Sequence, residues 1–170
     1  RVLTCADATD RVAEADESNN CAASGTTLLV TLPDLLTAAV SHPPSIASPG
    51  SAFQVTDTVR NAGHVATGYT TSRYYLSTDS VRSADDVLVT ATRYVLGLAP
   101  GATSTGSRTI TVPAATPQGT YRLLACADDL FKVTESDEVN NCLPSATAML
   151  VAFPDLVVNS LTDPPSAVTP

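Results

Sequence analysis

Two stretches of this chain are near copies of each other: CADATDRVAEADESNNC at residues 5–21 and CADDLFKVTESDEVNNC at residues 126–142. The offset, 126 − 5 = 121, also carries Pro33-Asp34-Leu35 onto Pro154-Asp155-Leu156 and Pro43-Pro44-Ser45 onto Pro164-Pro165-Ser166. Laid over each other without gaps, residues 1–49 and 122–170 agree at 23 of 49 positions. Chance does not give that extent of agreement, so tandem repeats of period 121 are expected. Residues 1–32 then form the C-terminal part of one repeat, 33–153 a complete repeat, and 154–170 the N-terminal strand of the next. The chain opens at Arg1 in mid-repeat, with no initiator methionine, which reads as a window on a longer array.

All four cysteines lie at the ends of the two copies, which gives the equivalent pairs Cys5 with Cys21 and Cys126 with Cys142. A structural zinc site asks for close pairs such as C-x-x-C or for nearby histidines, and neither occurs. Disulfides are therefore expected within each copy and never from Cys21 to Cys126. If one cysteine ends a strand and the other opens its antiparallel neighbour, their α-carbons come within disulfide reach across the ladder. Disulfides persist in oxidising compartments, so the protein is expected to be exported and extracellular or at the cell surface.

The rest of the sequence reads as all-β. LLTAAV at 35–40, SAFQVTDTVRNAG at 51–63, TTSRYYLS at 70–77 and DVLVTATRYVL at 86–96 are short strand-like runs. STGSRTITVP, GTYRLLACA and ATAMLVAF follow, with turn signals at Asn61-Ala62-Gly63, LAPG and Pro117-Gln118-Gly119. About seven strands at near-regular spacing, with twelve prolines, describe an antiparallel sandwich of the immunoglobulin or fibronectin type III kind. A hydrophobic content of 44% is ordinary for a globular domain, and the 121 residues of one repeat suffice to bury a core. A net charge of −8, with a single lysine, argues against nucleic acid or an anionic membrane surface as partner. No apolar run approaches a membrane span, so no membrane insertion of this segment is expected.

The runs PDLLTAAVSHPPSIASPGSAFQVTDTVRNAG, RYYLSTD, LAPG, GTYRLLACADD and VTESDEVNNC together resemble the CARDB family, the cell-adhesion-related domain found in bacteria. The resemblance spans residues 33–153 as one domain. It implies an immunoglobulin-like extracellular module, often in tandem, in large surface or secreted proteins, and it implies no catalytic residues.

The residues themselves offer little chemistry. His42 and His64 stand in loops without a neighbouring nucleophile, and no G-x-S-x-G, H-E-x-x-H or phosphate-binding glycine loop is present, so no enzymatic activity is expected. A carbohydrate-binding accessory module of a secreted enzyme is the alternative. Sugar rings stack on flat aromatic platforms, and this chain has no tryptophan, while Phe53, Tyr74 or Tyr75, Tyr121 and Phe153 fall in strand-like runs.

Oxygen ligands concentrate at Asp128, Asp129, Glu135, Asp137 and Glu138, which makes calcium the one candidate cofactor. A second acidic group is Asp79, Asp85 and Asp86. Neither has the spacing of a helix-loop-helix calcium site. The favoured reading is that such residues cap tight turns, with Asn140 or Asn141 hydrogen-bonding the loop. Alternation from Phe53 and Val55 puts Asp57 on the inward face, where it needs a partner, Arg73 being preferred and Arg122 the second candidate; the alternative is a β-bulge that turns Asp57 outward.

At each repeat joint a strand-like run, LLVTL or MLVAF, meets Pro-Asp-Leu with no Gly/Ser spacer. Proline restricts both itself and the residue before it, so the joints are expected to be stiff. That leads to a non-enzymatic structural or adhesive repeat forming a stalk or filament. Its expected partners are neighbouring repeats and, by lateral association, other copies.

Overall fold

The computed structural model describes residues 1–163 and divides them between two compact units, separated between Thr31 and Leu32. The first unit is a small hairpin. Strand β1 (Leu3–Cys5) pairs antiparallel with β2 (Cys21–Ala23), and a single 3-10 turn at Glu17–Asn19 lies in the connection. Residues 28–32, read from sequence as a strand, carry no strand here, and Leu28, Leu29 and Val30 are exposed. Strand hydrogen bonds and an apolar face both need partners, and a two-stranded ribbon supplies neither.

The second unit is the sandwich. Its strands are β3 (Leu35–Val40), β4 (Ile46–Ala47), β5 (Ala52–Asn61), β6 (Thr70–Ser77), β7 (Val87–Val95), β8 (Thr103–Thr111), β9 (Gly119–Cys126) and β10 (Cys142–Val151). One sheet has the order β3-β5-β8 and the other β4-β10-β9-β6-β7; every pairing is antiparallel except β4 with β10, which is parallel. This is the all-β antiparallel sandwich that the sequence pattern describes. The two-residue β4 has no sequence signal of its own.

Alternation decides what enters the core. Val55 and Val59 of β5, Tyr74 and Leu76 of β6, Val89 of β7, Ile110 of β8, Leu123 of β9 and Met149 of β10 are all buried between the sheets. Proline inside a strand removes a ladder donor. Pro144 sits where the β10 register shifts, and there the Ser145 hydroxyl accepts the bond from the Leu123 amide. Gly101, at φ +74, closes the turn into β8 in a conformation that a side chain would disfavour.

The inward parity of Asp57 holds, but its partner is Arg93, not Arg73. Arg93 donates from Nε to Asp57 Oδ1 at 2.7 Å and from a terminal nitrogen to Oδ2 at 2.5 Å; both residues are at most 3% exposed. Tyr74 and Ser72 also donate to the same carboxylate, at 2.6 and 3.2 Å. The correction follows from the period of two. Ser72 and Tyr74 face Asp57 across the sandwich, so Arg73 between them points outward. Arg122, the second candidate, instead donates to the backbone oxygens of Ser145 and Ala146.

Residues 154–163, expected to begin a further strand, carry none and are exposed. The rest of that expected strand, including Pro164-Pro165-Ser166, lies outside the described residues.

Candidate functional site at the acidic end of the sandwich

Both disulfides join the pairs read from the sequence. Cys5 bonds Cys21 and Cys126 bonds Cys142, with α-carbons 4.1 and 4.0 Å apart. In each case the two cysteines face each other directly in the strand register.

The connections between the paired cysteines fold alike. Asp128 sits at φ +41 and accepts from the amides of Lys132 and Val133, at 3.1 and 2.8 Å. Its counterpart Asp7, at φ +39, accepts from Arg11 and Val12, at 2.9 and 2.6 Å, and these bonds hold the Asp7 carboxyl below the usual carboxylate range. Glu138 accepts from the Glu135 amide as Glu17 does from Glu14, both at 2.9 Å. Asp137 accepts from Val139 as Asp16 does from Ser18, at 3.0 and 2.9 Å.

In the sandwich this loop does more than cap itself. Glu135 is buried, and one of its oxygens accepts from the amide of Leu35 at the start of β3. Its other oxygen accepts from the Asn141 side-chain amide at 3.1 Å. The Asn140 amide donates to Asp34 Oδ1 at 2.9 Å, and the Ser136 amide to the Pro33 oxygen at 2.9 Å. Thr37 donates to the Asn141 backbone oxygen from its hydroxyl at 2.9 Å and from its amide at 3.3 Å. Burial pushes the Glu135 carboxyl up to about 7, against the two donors that favour its charge; Glu138 and Asp128 add repulsion.

A second clasp closes on the same entry segment. Asn61 Oδ1 accepts from the amides of Asp34 and Gly63, at 3.2 and 3.0 Å, while its amide reaches the oxygens of Val65 and Leu98. A side chain at Gly63 would lie 2.5 Å from the Asp34 nitrogen, so only glycine permits this approach.

Asp129 faces another way. It takes Arg73 at 3.0 Å and the Tyr75 hydroxyl at 2.5 Å, and Arg82 covers the Tyr75 ring at 3.7 Å from its centroid. Between this group and the acidic loop lies a cleft of about 430 Å³, rimmed by Val81, Phe131 and Val139. In the other acidic connection Asp79 accepts from the Val81 amide and Asp86 from the Ser83 amide, both at 2.7 Å, while Asp85 takes the Ser83 hydroxyl. Among the described residues no group of three or more His, Cys, Asp or Glu is disposed to hold a metal ion. His42 and His64 are exposed.

Sequence reasoning missed Arg93, the inward role of Glu135 and the clasp at Asn61. The alternation of β7 around Val89 and Val95 was the available signal for Arg93. The other two depend on which loops meet in space.

A disulfide-stapled immunoglobulin-like sandwich with its acidic loop bonded to its own first strand is the class of domain these features define. The CARDB family profile matches residues 32–145, and the chain belongs to the CARDB family. It is similar to a CARDB domain of Pyrococcus furiosus solved in complex with di-metal ions, at 22% identity and a TM-score of 0.51, over 73% of this chain and 97% of that one. It is also similar to residues 272–376 of a candidate cell-surface protein of Methanosarcina acetivorans, at 19% identity and a TM-score of 0.50, over 71% and 93% of the two chains. These likenesses establish the fold. No curated protein matches the sequence.

Proposed function

We propose that this chain supplies a non-enzymatic, extracellular spacer module, a repeat of a stalk or adhesive filament that holds other parts of a surface or secreted protein at a distance. The observation that carries this reading is where the chain enters and leaves the sandwich. Pro33 and Asp34 lie against Asn140 and Ser136, at the beginning of β10. β4 runs parallel to the end of β10, Ile46 opposite Leu150 and Ala47 opposite Val151, and the chain departs just beyond. Entry and exit are thus at opposite ends of a strand whose ten residues rise about 33 Å at ~3.3 Å each.

Modules wired this way add length rather than fold back. The two disulfides support an oxidising location, and no helix among the described residues is long and apolar enough to cross a membrane. Metal binding like that of the Pyrococcus domain is not part of this reading.

Small-angle scattering of protein carrying two or three consecutive repeats tests the proposal. The maximum dimension is expected to grow by roughly 35–40 Å per repeat with a rod-like profile. A compact profile, or saturable binding of residues 32–163 on a glycan array, would favour the accessory carbohydrate module instead.

A further inference from the structure

We propose that the module is built to resist tension along the chain, and that the acidic loop is the lock through which β3 is held. The use of such resistance rests on the spacer reading, but the geometry stands by itself. Pulling on Pro33 and on Phe153 in opposite directions drags β3 and β4 one way along β10 and β10 the other. At the exit end the parallel pairing opposes this slide, with Leu150 donating to the Ser45 oxygen at 2.9 Å and Ala152 to the Ala47 oxygen at 3.0 Å.

At the entry end the opposing bonds are those of the lock. They are Asn140 to Asp34, Leu35 to Glu135, Ser136 to Pro33, and the paired bonds from Thr37 to the Asn141 oxygen. Because the chain runs from Thr37, beside Asn141, to Ile46, opposite Leu150, in the same direction as β10, these groups are strained together rather than one after another, and unfolding must break several at once. The loop that supplies them is closed by Cys126–Cys142, so it cannot reel out under tension while the disulfide is intact. The acidic repeat motif and its two cysteines thereby serve one purpose, anchoring the first strand of the module against its last.

Single-molecule force spectroscopy on the full 170-residue chain, oxidised and held by its two ends, tests this. At constant force Asn140→Ala and Thr37→Val are each expected to unfold about fivefold faster than wild type, the factor corresponding to one hydrogen bond of about 1 kcal/mol. Ser72→Ala, which removes a bond to Asp57 away from this path, is expected to change that rate less than its loss of stability in urea would suggest. A measurement on the wild type needs no folded variant: attachment through the exposed Ser48–Ser51 turn and the C-terminus loads β4 and β10 from the same end. That geometry peels their bonds singly and is expected to need clearly less force. Equal unfolding forces in the two geometries, or lock variants as slow as wild type, would overturn the proposal. A compact scattering profile would instead remove the spacer reading and leave the mechanical result intact.

Discussion

Replacing Glu135 by Gln is the most informative single change, because the structure fixes its sign. Glu135 is 6% exposed, and its carboxyl is raised from 4.5 to about 7, first by burial and then by Glu138 and Asp128. A raised value means that the folded state holds the proton more tightly than the unfolded chain does. The corresponding stability is fully present below pH ~4.5 and is lost as the pH rises through about 7. The difference between 4.5 and about 7 corresponds to at most about 3 kcal/mol.

A Gln side chain carries no charge to bury. Its oxygen accepts from the Leu35 amide, and its amide can donate to the Asn141 side-chain oxygen, which has no partner in the native structure, once that Asn amide turns over. Urea unfolding of the full chain at pH 5 and pH 8 should therefore show wild type losing roughly 2 kcal/mol between the two values and Glu135→Gln losing little. At pH 8 the variant should be the more stable, melting roughly 6 °C higher. A variant less stable than wild type at both pH values would refute the reasoning, since it would mean that the carboxylate's own bonds outweigh its desolvation.

Asp57→Asn should cost about 3–5 kcal/mol in urea unfolding, because it leaves the Arg93 guanidinium buried beside a neutral group; Arg73→Leu breaks a partly exposed pair and should cost no more than about 1 kcal/mol. A double-mutant cycle should find Asp57 coupled to Arg93 and uncoupled from Arg73. Cys126→Ser with Cys142→Ser should lower stability by about 3 kcal/mol by opening the loop between cysteines 16 positions apart, and alkylation without reductant should find no reactive thiol in the wild-type chain. Gly63→Ala should destabilise the sandwich by roughly 1–3 kcal/mol, the range of an overpacked site, since backbone rather than a movable side chain opposes the new methyl. Adding a chelator should shift the melting temperature by less than ~1 °C, and a larger drop would point to a bound cation.

Strand positions were legible because period-two alternation and turn residues are local properties; LLTAAV and TTSRYYLS fall on β3 and β6 residue for residue. The disulfides were legible because the duplicated frame left one sensible pairing. For Asp57 the facing of β5 and β6 across the sandwich is legible, but Arg73 has the parity opposite to that of Ser72 and Tyr74 and points away, so Arg93 of β7 takes the carboxylate. That the acidic loop reaches back to Pro33, Asp34 and Leu35 could not be read from sequence, since Glu135 and Leu35 are a hundred residues apart and meet only once both sheets have formed.

The two copies of the motif separate its local work from its long-range work. In the hairpin of residues 1–31 the aspartate-centred turn, the glutamate cap and the disulfide are again made between the motif's own residues. The remaining contacts differ. Glu14, the counterpart of Glu135, is exposed, and Asn20 donates to Glu17 of its own loop, whereas Asn141 donates to Glu135. In the sandwich the glutamate takes its partners from the first strand and from the last asparagine. A loop that pre-forms locally loses less entropy when it closes on that strand, so its bonds to β3 add more to stability than the same bonds made by a floppy loop. The acidity follows from the same logic: Asp128, Asp137 and Glu138 gather backbone amides in turns too tight for a ladder, and buried Glu135, bonded to the Leu35 amide, is the carboxylate whose charge the fold resists.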